Sequence, residues 1–317
     1  MKSNIKISII CPCYNERAFI GACIDSIAHQ DCGVTNIELL VVDGMSQDGT
    51  RDIVTEKAKQ YSWLRLVDNP RKIAPVAMNI GINQARGKYI VRVDAHSIYP
   101  SNYVSSLVYA LDNLAGAQNV GAICRTLPAD DSLMARANAI TASHPFGVGN
   151  SSFRIGADRI KEVDTVPFGC WRKEWLQQIG GFDEELVRNQ DDELNARTIE
   201  HGGKIYLLPT IIVDYYARRT LAQAWKMFYQ YGLYKPLVNQ KLQRPATLRQ
   251  FVPPLFVLGL FPALPLYLLI VGGISIRYRN IALMLSFPAI HLSYGLGYWV
   301  GLIHILLHKK MNVNSNH

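Results

Sequence analysis

Two stretches near the carboxyl end, Phe251–Ile276 and Asn280–Leu307, run for 26 and 28 residues without an Asp, Glu, Lys or Arg, and only Arg277-Tyr278-Arg279 separates them. A helix needs about 20 apolar residues to cross a hydrocarbon core, so each is long enough. The chain must therefore combine a water-soluble part with an apolar helical pair. Pro253, Pro254, Pro262 and Pro265 break or kink the first stretch, which leaves a re-entrant or interfacial course open beside a full span. The alternative, a buried hairpin of a soluble domain, is opposed by the length of both stretches. Lys226, Lys235, Lys241, Arg244 and Arg249 precede the pair and Lys309-Lys310 follow it, against Arg277 and Arg279 between them, which predicts that both ends face the cytoplasm.

Charge is just as segregated. The 317 residues carry 33 Lys/Arg and 25 Asp/Glu, a balance of +8, but every acid lies within residues 1–214, which hold 22 basic residues and a net −3. Residues 215–317 hold 11 basic residues and no acid. A basic tail joined to an apolar pair points to anionic lipid, and no nucleic-acid partner is expected. Thr220 to Leu242 fits this picture, mixing Trp225, Phe228, Tyr229, Tyr231, Leu233 and Tyr234 with Lys226, Lys235 and Lys241. That pattern suits a helix at headgroup level, or an amphipathic helix packed on the soluble core. Cys11, Cys13, Cys23, Cys32, Cys124 and Cys170 form no disulfide framework, and Cys11-Pro12-Cys13 lacks a second zinc-type cluster, so a reducing compartment is expected. Met1 to Lys6 runs straight into an apolar strand, a start without a signal-peptide pattern.

The first half alternates β-branched runs with helical stretches, the pattern of a doubly wound α/β core. Predicted strands are Ile5–Cys11, Glu38–Asp43, Leu64–Asp68, Tyr89–Asp94 and Val120–Cys124. Predicted helices are Phe19–His29, Thr50–Tyr61, Pro75–Ala85 and Asn102–Leu114. Residues 125–165 lose the rhythm and read as a loop-rich insertion over the active face. A helix from Lys173 to Ile179, a turn at Gly180-Gly181 and a helix from about Asp191 to His201 follow.

Ligands of such cores bind beyond the carboxyl ends of the strands. The first strand ends in Pro12-Cys13-Tyr14-Asn15-Glu16, and the second in Asp43-Gly44-Met45-Ser46-Gln47-Asp48-Gly49-Thr50. Together they suit a nucleotide crevice; singly, Asp-Gly is a turn and Asp48 with Thr50 a helix cap. The fourth ends in Arg92-Val93-Asp94-Ala95-His96-Ser97. Strand alternation would put Asp94 and His96 on one face, where a carboxylate and an imidazole can hold a divalent ion, Mn²⁺ ahead of Mg²⁺. A salt bridge or a helix cap is the plainer reading. Asn189-Gln190-Asp191-Asp192-Glu193-Leu194-Asn195-Ala196-Arg197 opens a helix, and neighbouring acids there point about 100° apart, so only one can serve a given site as a base.

Taken together, over roughly Ile7 to Asp214, these motifs resemble glycosyltransferase family 2. The resemblance implies a GT-A fold, a doubly wound mixed sheet, followed here by the amphipathic segment and a transmembrane helical pair. It implies that Pro12, Tyr14, Asn15 and Glu16 line the nucleotide, that Asp43 contacts its base, and that Asp94-Ala95-His96 occupies the Asp-x-Asp metal position, with Asp94 and His96 as ligands. Asp191 matches the general base, with Gln190 where Glu is usual and Asp192 as rival. Arg218 or Arg219 would assist the diphosphate. The Gln-x-x-Arg-Trp run of processive synthases is replaced by Tyr215-Tyr216-Ala217-Arg218-Arg219.

The Asp-Ala-His and Asn-Gln-Asp-Asp-Glu-Leu-Asn forms with a C-terminal apolar pair resemble bacterial exopolysaccharide glucosyltransferases of the succinoglycan type. The implied activity is inverting, metal-dependent transfer of glucose or a related hexose from a UDP-sugar to a polyprenyl-diphosphate-linked oligosaccharide or polysaccharide, at the cytoplasmic face of a bacterial inner membrane. A nucleotide-binding scaffold without turnover and a sugar nucleotidyltransferase are the competing classes. The predicted division is a cytosolic catalytic domain over 1–215, an interfacial segment over 216–250, the apolar pair over 251–308 and a cytosolic tail over 309–317.

Overall fold

The computed structural model describes residues 5–308; the predicted tail, with Lys309 and Lys310, and the first four residues lie outside that range. The chain divides into two compact units. The first runs to Cys124 and resumes over Gly156–Asp214; the second takes Arg125–Ile155 and everything described from Tyr215 onward.

In the first unit, β1 (Ile7–Cys13), β2 (Ile37–Asp43), β3 (Leu64–Asp68) and β4 (Tyr89–Arg92) pair in parallel in the order β3-β2-β1-β4. Helices α1 (Ile20–Ala28), α2 (Thr50–Gln60), α3 (Ala74–Gln84) and α4 (Tyr103–Asn113) fall between the strands. Strands buried on both faces need continuous apolar runs, and Ile9, Ile10, Leu39, Leu40, Val41 and Val42 are all fully buried. The short β5 (Ser97–Ile98), β6 (Ala117–Leu127), β7 (Lys161–Glu162), β8 (Cys170–Arg172) and β9 (Lys204–Tyr216) complete a mixed sheet ordered β3-β2-β1-β4-β8-β6-β9-β5, with β7 on β9. Strand β8 runs antiparallel to both neighbours. The core joins Ile10, Leu40 and Val42 to Met78, Ile82, Trp171 and Phe182. Gly81 permits this, because a Cβ there would lie 2.5 Å from Ile10.

Strand β4 stops at Arg92, two residues short of the prediction, and residues 94–97 form a turn closed by the Ser97 N–H on the Asp94 carbonyl at 3.2 Å. Strand alternation therefore does not relate Asp94 to His96.

In the second unit, residues 125–155 are helical rather than loop-rich: α5 (Leu133–Thr141), α6 (Pro145–Val148) and α7 (Ser152–Ile155). Alanine is the best helix former, and the Ser132 hydroxyl caps α5 by accepting the Ala135 N–H, so the Ala/Ser/Asn composition that suggested a loop encodes a capped helix. These residues group with the C-terminal helices in one compact unit. After α8 (Lys173–Gln178) and α9 (Gln190–Glu200) of the first unit come α10 (Leu221–Leu242), α11 (Val252–Leu258), α12 (Leu260–Arg277) and α13 (Leu283–Leu306). The first apolar stretch is thus two helices broken at Gly259, with Pro253, Pro254 and Pro262 in first turns, where proline is tolerated, and Pro265 inside α12.

Helix α10 starts from a capping box between Thr220 and Gln223 and packs along α13. Glycines carry the contact: a Cβ at Gly232, Gly297 or Gly301 would lie 2.0, 2.2 or 2.1 Å from the carbonyl oxygens of Tyr294, Tyr229 and Leu233. Small residues that let backbones approach are the signature of helix packing in membranes. Leu233, Tyr234 and Lys235 are consequently buried, which departs from the headgroup-level reading of this helix at those three residues. Helices α12 and α13 have the length and composition to cross a membrane, and Phe261, Leu266, Leu269, Ile276 and Leu306 are exposed on them.

Candidate active site

Strand β4 leaves β1 on the side opposite to β2, so the carboxyl ends of β1 and β4 form the topological switch point where ligands of open α/β sheets bind. Residues 14–17 after β1 are tied to the loop after β2. The Asn15 N–H donates to Ser46 Oγ at 2.7 Å, the Gln47 N–H to Asn15 Oδ1 at 3.2 Å, and the Glu16 N–H to Thr50 Oγ1 at 2.8 Å. Asn15 has φ 54° and Met45 φ 61°, in the left-handed region. Lys72 lies 5.8 Å from the Tyr14 ring, and Gly44 leaves that ring room, since a Cβ there would stand 3.0 Å from it. Pro12 pairs with Val42 inside the sheet, which sets this mouth but leaves the proline in the strand.

Asp43 is fully buried. Its Oδ1 accepts the Ser46 hydroxyl at 2.5 Å, and its Oδ2 accepts the Ser46 N–H and an Arg51 N–H, both at 2.9 Å. Arg51 also reaches Asp68 at the end of β3, 2.8 Å away and well exposed. The N-cap of α2 is Gly49 and no side chain caps it, so Asp48 and Thr50 act within the loop rather than as the helix cap of the plainer sequence reading. The Asp48 carboxylate takes both Thr50 donors and the Arg17 N–H, organising the loop.

Arg92 is the centre of the site. Its guanidinium lies 3.1 Å from Asp94 Oδ1 and 2.5 Å from Asp191 Oδ1, joining the end of β4 to the start of α9. It is buried beside the Phe168 ring, 6.0 Å from its centroid. Burial disfavours its charge, but Asp191 and Asp94 overcome this and hold its pKa above the ordinary value. Burial raises the pKa of Asp191; Arg92 opposes the rise, and Asp94 and Asp192 add to it. A carboxylate with increased proton affinity is what a general base requires.

Helix α9 sorts its acids as the 100° spacing demands. Asp191 meets Arg92, Asp192 accepts from Thr165 Oγ1 at 3.2 Å, and Glu193 forks onto Arg197 at 2.7 Å. Arg197 in turn donates to carbonyls of Ile179 and Gly181, anchoring the helix to the Gly180-Gly181 turn, where both glycines have positive φ. Asn195 binds Asn119, Thr165 and Val166. Asp191 is joined to Asp94 through Arg92, and Asp192 accepts from Thr165. His96 Nδ1 lies 3.0 Å from Glu16 Oε1, bridging the β1 and β4 ends. Arg218 and Arg219 belong to the second unit, where the Arg218 carbonyl accepts the Asn138 amide at 2.9 Å and Arg219 pairs with Asp130 at 2.5 Å.

Residues 8–179 match the sequence profile described as glycosyl transferase family 2. The succinoglycan biosynthesis protein ExoA of Rhizobium meliloti (strain 1021) is 30% identical over 248 residues, 77% of this chain and 73% of its own. The chain belongs to glycosyl transferase family 2. A second relative of wide coverage is the Methanococcus voltae dolichyl N-acetyl-alpha-D-glucosaminyl phosphate 3-beta-D-2,3-diacetamido-2,3-dideoxy-beta-D-glucuronosyltransferase, 27% identical over 74% of both chains. Among solved structures, the mannosyltransferase PcManGT from Pyrobaculum calidifontis, in complex with GDP-Man and Mn²⁺, aligns with TM-score 0.59 and 20% identity over 97% of this chain and 89% of its own. S. aureus TarS 1–349 in complex with UDP aligns with TM-score 0.52 and 16% identity over 98% and 94%. The mixed sheet is that of the GT-A glycosyltransferases.

Family 2 enzymes of this fold commonly use a divalent cation, and the donor set tests whether this chain suits one. Among the described residues no three His, Cys, Asp or Glu side chains form a cluster able to hold a metal. Asp94 and His96 provide one carboxylate, engaged by Arg92 through Oδ1, and one imidazole. That set fits a cation that draws its remaining ligands from diphosphate and water, and does not fit a closed protein cage. Sequence reasoning missed Arg92, Arg51 and Asp68. The signal for Arg92 was present, because a cation inside the apolar run Tyr89-Ile90-Val91-Arg92-Val93 must be paired when buried.

Proposed function

We propose that this family 2 enzyme transfers a hexose, glucose or a close relative, from a UDP-sugar to a hydroxyl of a lipid-linked oligosaccharide or polysaccharide, with inversion. The observation that carries the reading is the Arg92 bridge, which sets a carboxylate of raised pKa, Asp191, beside the Asp94 turn at the switch point. Asp191 accepts the acceptor hydroxyl's proton as that oxygen bonds to the anomeric carbon. The bond from that carbon to the diphosphate oxygen breaks on the opposite face, and its electron pair leaves with UDP. Arg92 keeps Asp191 ionised and aimed. Asp94 and His96 would hold a divalent cation, Mn²⁺ or Mg²⁺, which when bound neutralises the departing diphosphate. Tyr14, Asn15, Glu16 and the Asp43 loop form the nucleotide side, and Arg218 or Arg219 is a candidate for the diphosphate.

Two apolar helices with exposed leucine and phenylalanine faces support attachment to the membrane that carries a lipid-linked acceptor. The basic flanks favour the cytoplasmic face of a bacterial inner membrane. The names of the exopolysaccharide and dolichyl-linked relatives agree with an acceptor of this kind. The test is to incubate the full chain in nanodiscs with a panel of UDP-sugars and lipid-linked acceptors, reading product mass and linkage stereochemistry. UDP release that disappears in D191N and D94N supports the reading. Binding of UDP without release from any UDP-sugar would make the protein a scaffold, and diphosphate formed from a nucleoside triphosphate and a sugar phosphate would make it a nucleotidyltransferase.

A further inference from the structure

We infer that α12 and α13 do not cross the bilayer, and that the second unit sits in the cytoplasmic leaflet alone, with anionic lipid covering its apolar side. The inference deepens the membrane attachment proposed above and rests on it. It departs from the two-span course because of what α13 touches. Near its start the Asn280 amide donates to the Leu133 carbonyl at 2.9 Å, and the Ser286 hydroxyl to Asn138 Oδ1 at 2.8 Å. Midway His291 Nε2 donates to the Phe146 carbonyl at 2.9 Å, and further on Gly297 and Gly301 lie against Tyr229 and Leu233 of α10. Over most of its length α13 therefore lies beside α5, α6 and α10. Those neighbours carry exposed charge. Arg136 of α5 pairs with Asp131, their side chains 54% and 97% exposed. Lys226 is exposed on α10, less than one turn from Tyr229, which meets α13 near its midpoint. A hydrocarbon core about 30 Å thick that enclosed α13 from end to end would bring that ammonium group near its midplane, where charge is strongly disfavoured.

The apolar side is separate from these groups. On α12 only Tyr267, Val271 and Ser275 are buried, a stripe at four-residue spacing, and Tyr267 and Val271 pack there with Leu283 and Phe287 of α13. Elsewhere α12 is open, with Phe261 94%, Leu269 74% and Ile276 80% exposed. Leu285, Leu296 and Ile303 add one exposed stripe along α13. Charge selects the occupant: Arg277 and Arg279 close α12, and residues 215–317 hold 11 basic residues and no acid. An apolar side with a basic rim is the pattern of helices held in the interface of an anionic leaflet.

The test places the full chain in inverted and right-side-out bacterial membrane vesicles and treats D131C, Q240C and R279C with a membrane-impermeant maleimide. Labelled peptides are read by mass, which keeps the native cysteines apart. All three positions should label in inverted vesicles only. If R279C labels only in right-side-out vesicles, the two-span course holds; if Q240C does, α10 crosses with α13. Either result overturns the inference and leaves the attachment standing. Release of the protein by concentrated salt would overturn the attachment and the inference with it. Where R279C is silent in both orientations, a bimane on F261C, L269C or I276C decides, in vesicles whose lipids carry a nitroxide near the headgroup or near the chain end. Stronger quenching by the shallow nitroxide at all three positions is expected. Deep quenching confined to L269C would mean that α12 spans, and no quenching at any position would put protein, such as a second copy of the chain, on that face; both overturn the inference.

Discussion

Asp94 and Asp191, one after β4 and the other in the first turn of α9, are held by the same guanidinium, at 3.1 and 2.5 Å from Arg92. Two carboxylates so close to a common point depend on the cation between them. Removing one partner of a buried ion pair costs about 3 kcal/mol or more, so R92M should lower the melting temperature markedly. R92K keeps a charge without the fork that reaches both carboxylates and should recover only part. Arg92 also opposes the upward shift of Asp191. Turnover needs Asp191 ionised, so kcat/KM should fall as pH drops through a value above the ordinary 3.8 of an aspartate. In any R92M protein that folds, that acid limb should move to higher pH; a pH profile identical to wild type would contradict the bridge.

Asp191 and Asp192 should separate cleanly. D191N removes the base and should cost about 10²- to 10⁴-fold in kcat, whereas D192N, whose carboxylate serves Thr165, should stay within about tenfold of wild type. Stability should fall, but by less than in R92M. A carboxyl group whose pKa is raised in the fold favours folding while protonated, below its unfolded value, and that contribution is lost as pH rises through the folded value. Asn mimics the protonated form but gives up the ion pair with buried Arg92, which keeps Asp94 as a partner. D191N should therefore melt between R92M and wild type in a thermal scan. A drop as large as that of R92M would mean that Asp94 does not compensate the guanidinium.

The parallel strands were legible because burial on both faces leaves an unbroken apolar run, and β3 falls on its predicted residues. The acid run at 190–197 was legible as chemistry but not as roles, since spacing alone could not say that Glu193 turns to Arg197 and Asp192 to Thr165. The Asp-Ala-His segment failed for a local reason: the turn at 94–97 ends the alternation on which the shared-face argument stood, and Asp94 and His96 find different partners, Arg92 and Glu16. Residues 125–155 were misread because small residues that pack a helix look like loop residues when the partner helix is far along the chain. Asn138 shows this, donating to the Arg218 carbonyl and accepting from Ser286, contacts that no window of sequence contains.

Asp43 offers a sharp test of its place inside the nucleotide loop. Both oxygens are committed to Ser46 and Arg51, and the side chain is sealed from solvent. Asn presents one acceptor where two are needed and turns an NH₂ group toward existing donors. D43N should therefore lose about 2 kcal/mol of stability as well as UDP affinity. S46A, which also removes the acceptor of the Asn15 N–H, should lose about 1 kcal/mol. Thermal unfolding and calorimetric UDP titration check both. A D43N protein that melts like wild type and fails only to bind UDP would instead make Asp43 a direct contact of the base.

The seam between α10 and α13 makes the second unit sensitive at a few glycines only. In G232A, G297A and G301A the new methyl would stand 2.0 to 2.2 Å from a carbonyl oxygen of the facing helix, and backbone cannot yield there without moving the whole helix. Overpacking of this kind costs about 1–3 kcal/mol, and thermal unfolding in detergent should show it for each variant. Gly272 and Gly273 on α12 have nothing within 4 Å of an added Cβ. Alanine at either should leave the melting temperature unchanged or raise it, because it favours a helix over glycine by about 0.5–1 kcal/mol. If G301A and G273A behaved alike, α10 and α13 would not be in backbone contact, and the burial of Tyr234 and Lys235 would lose its explanation.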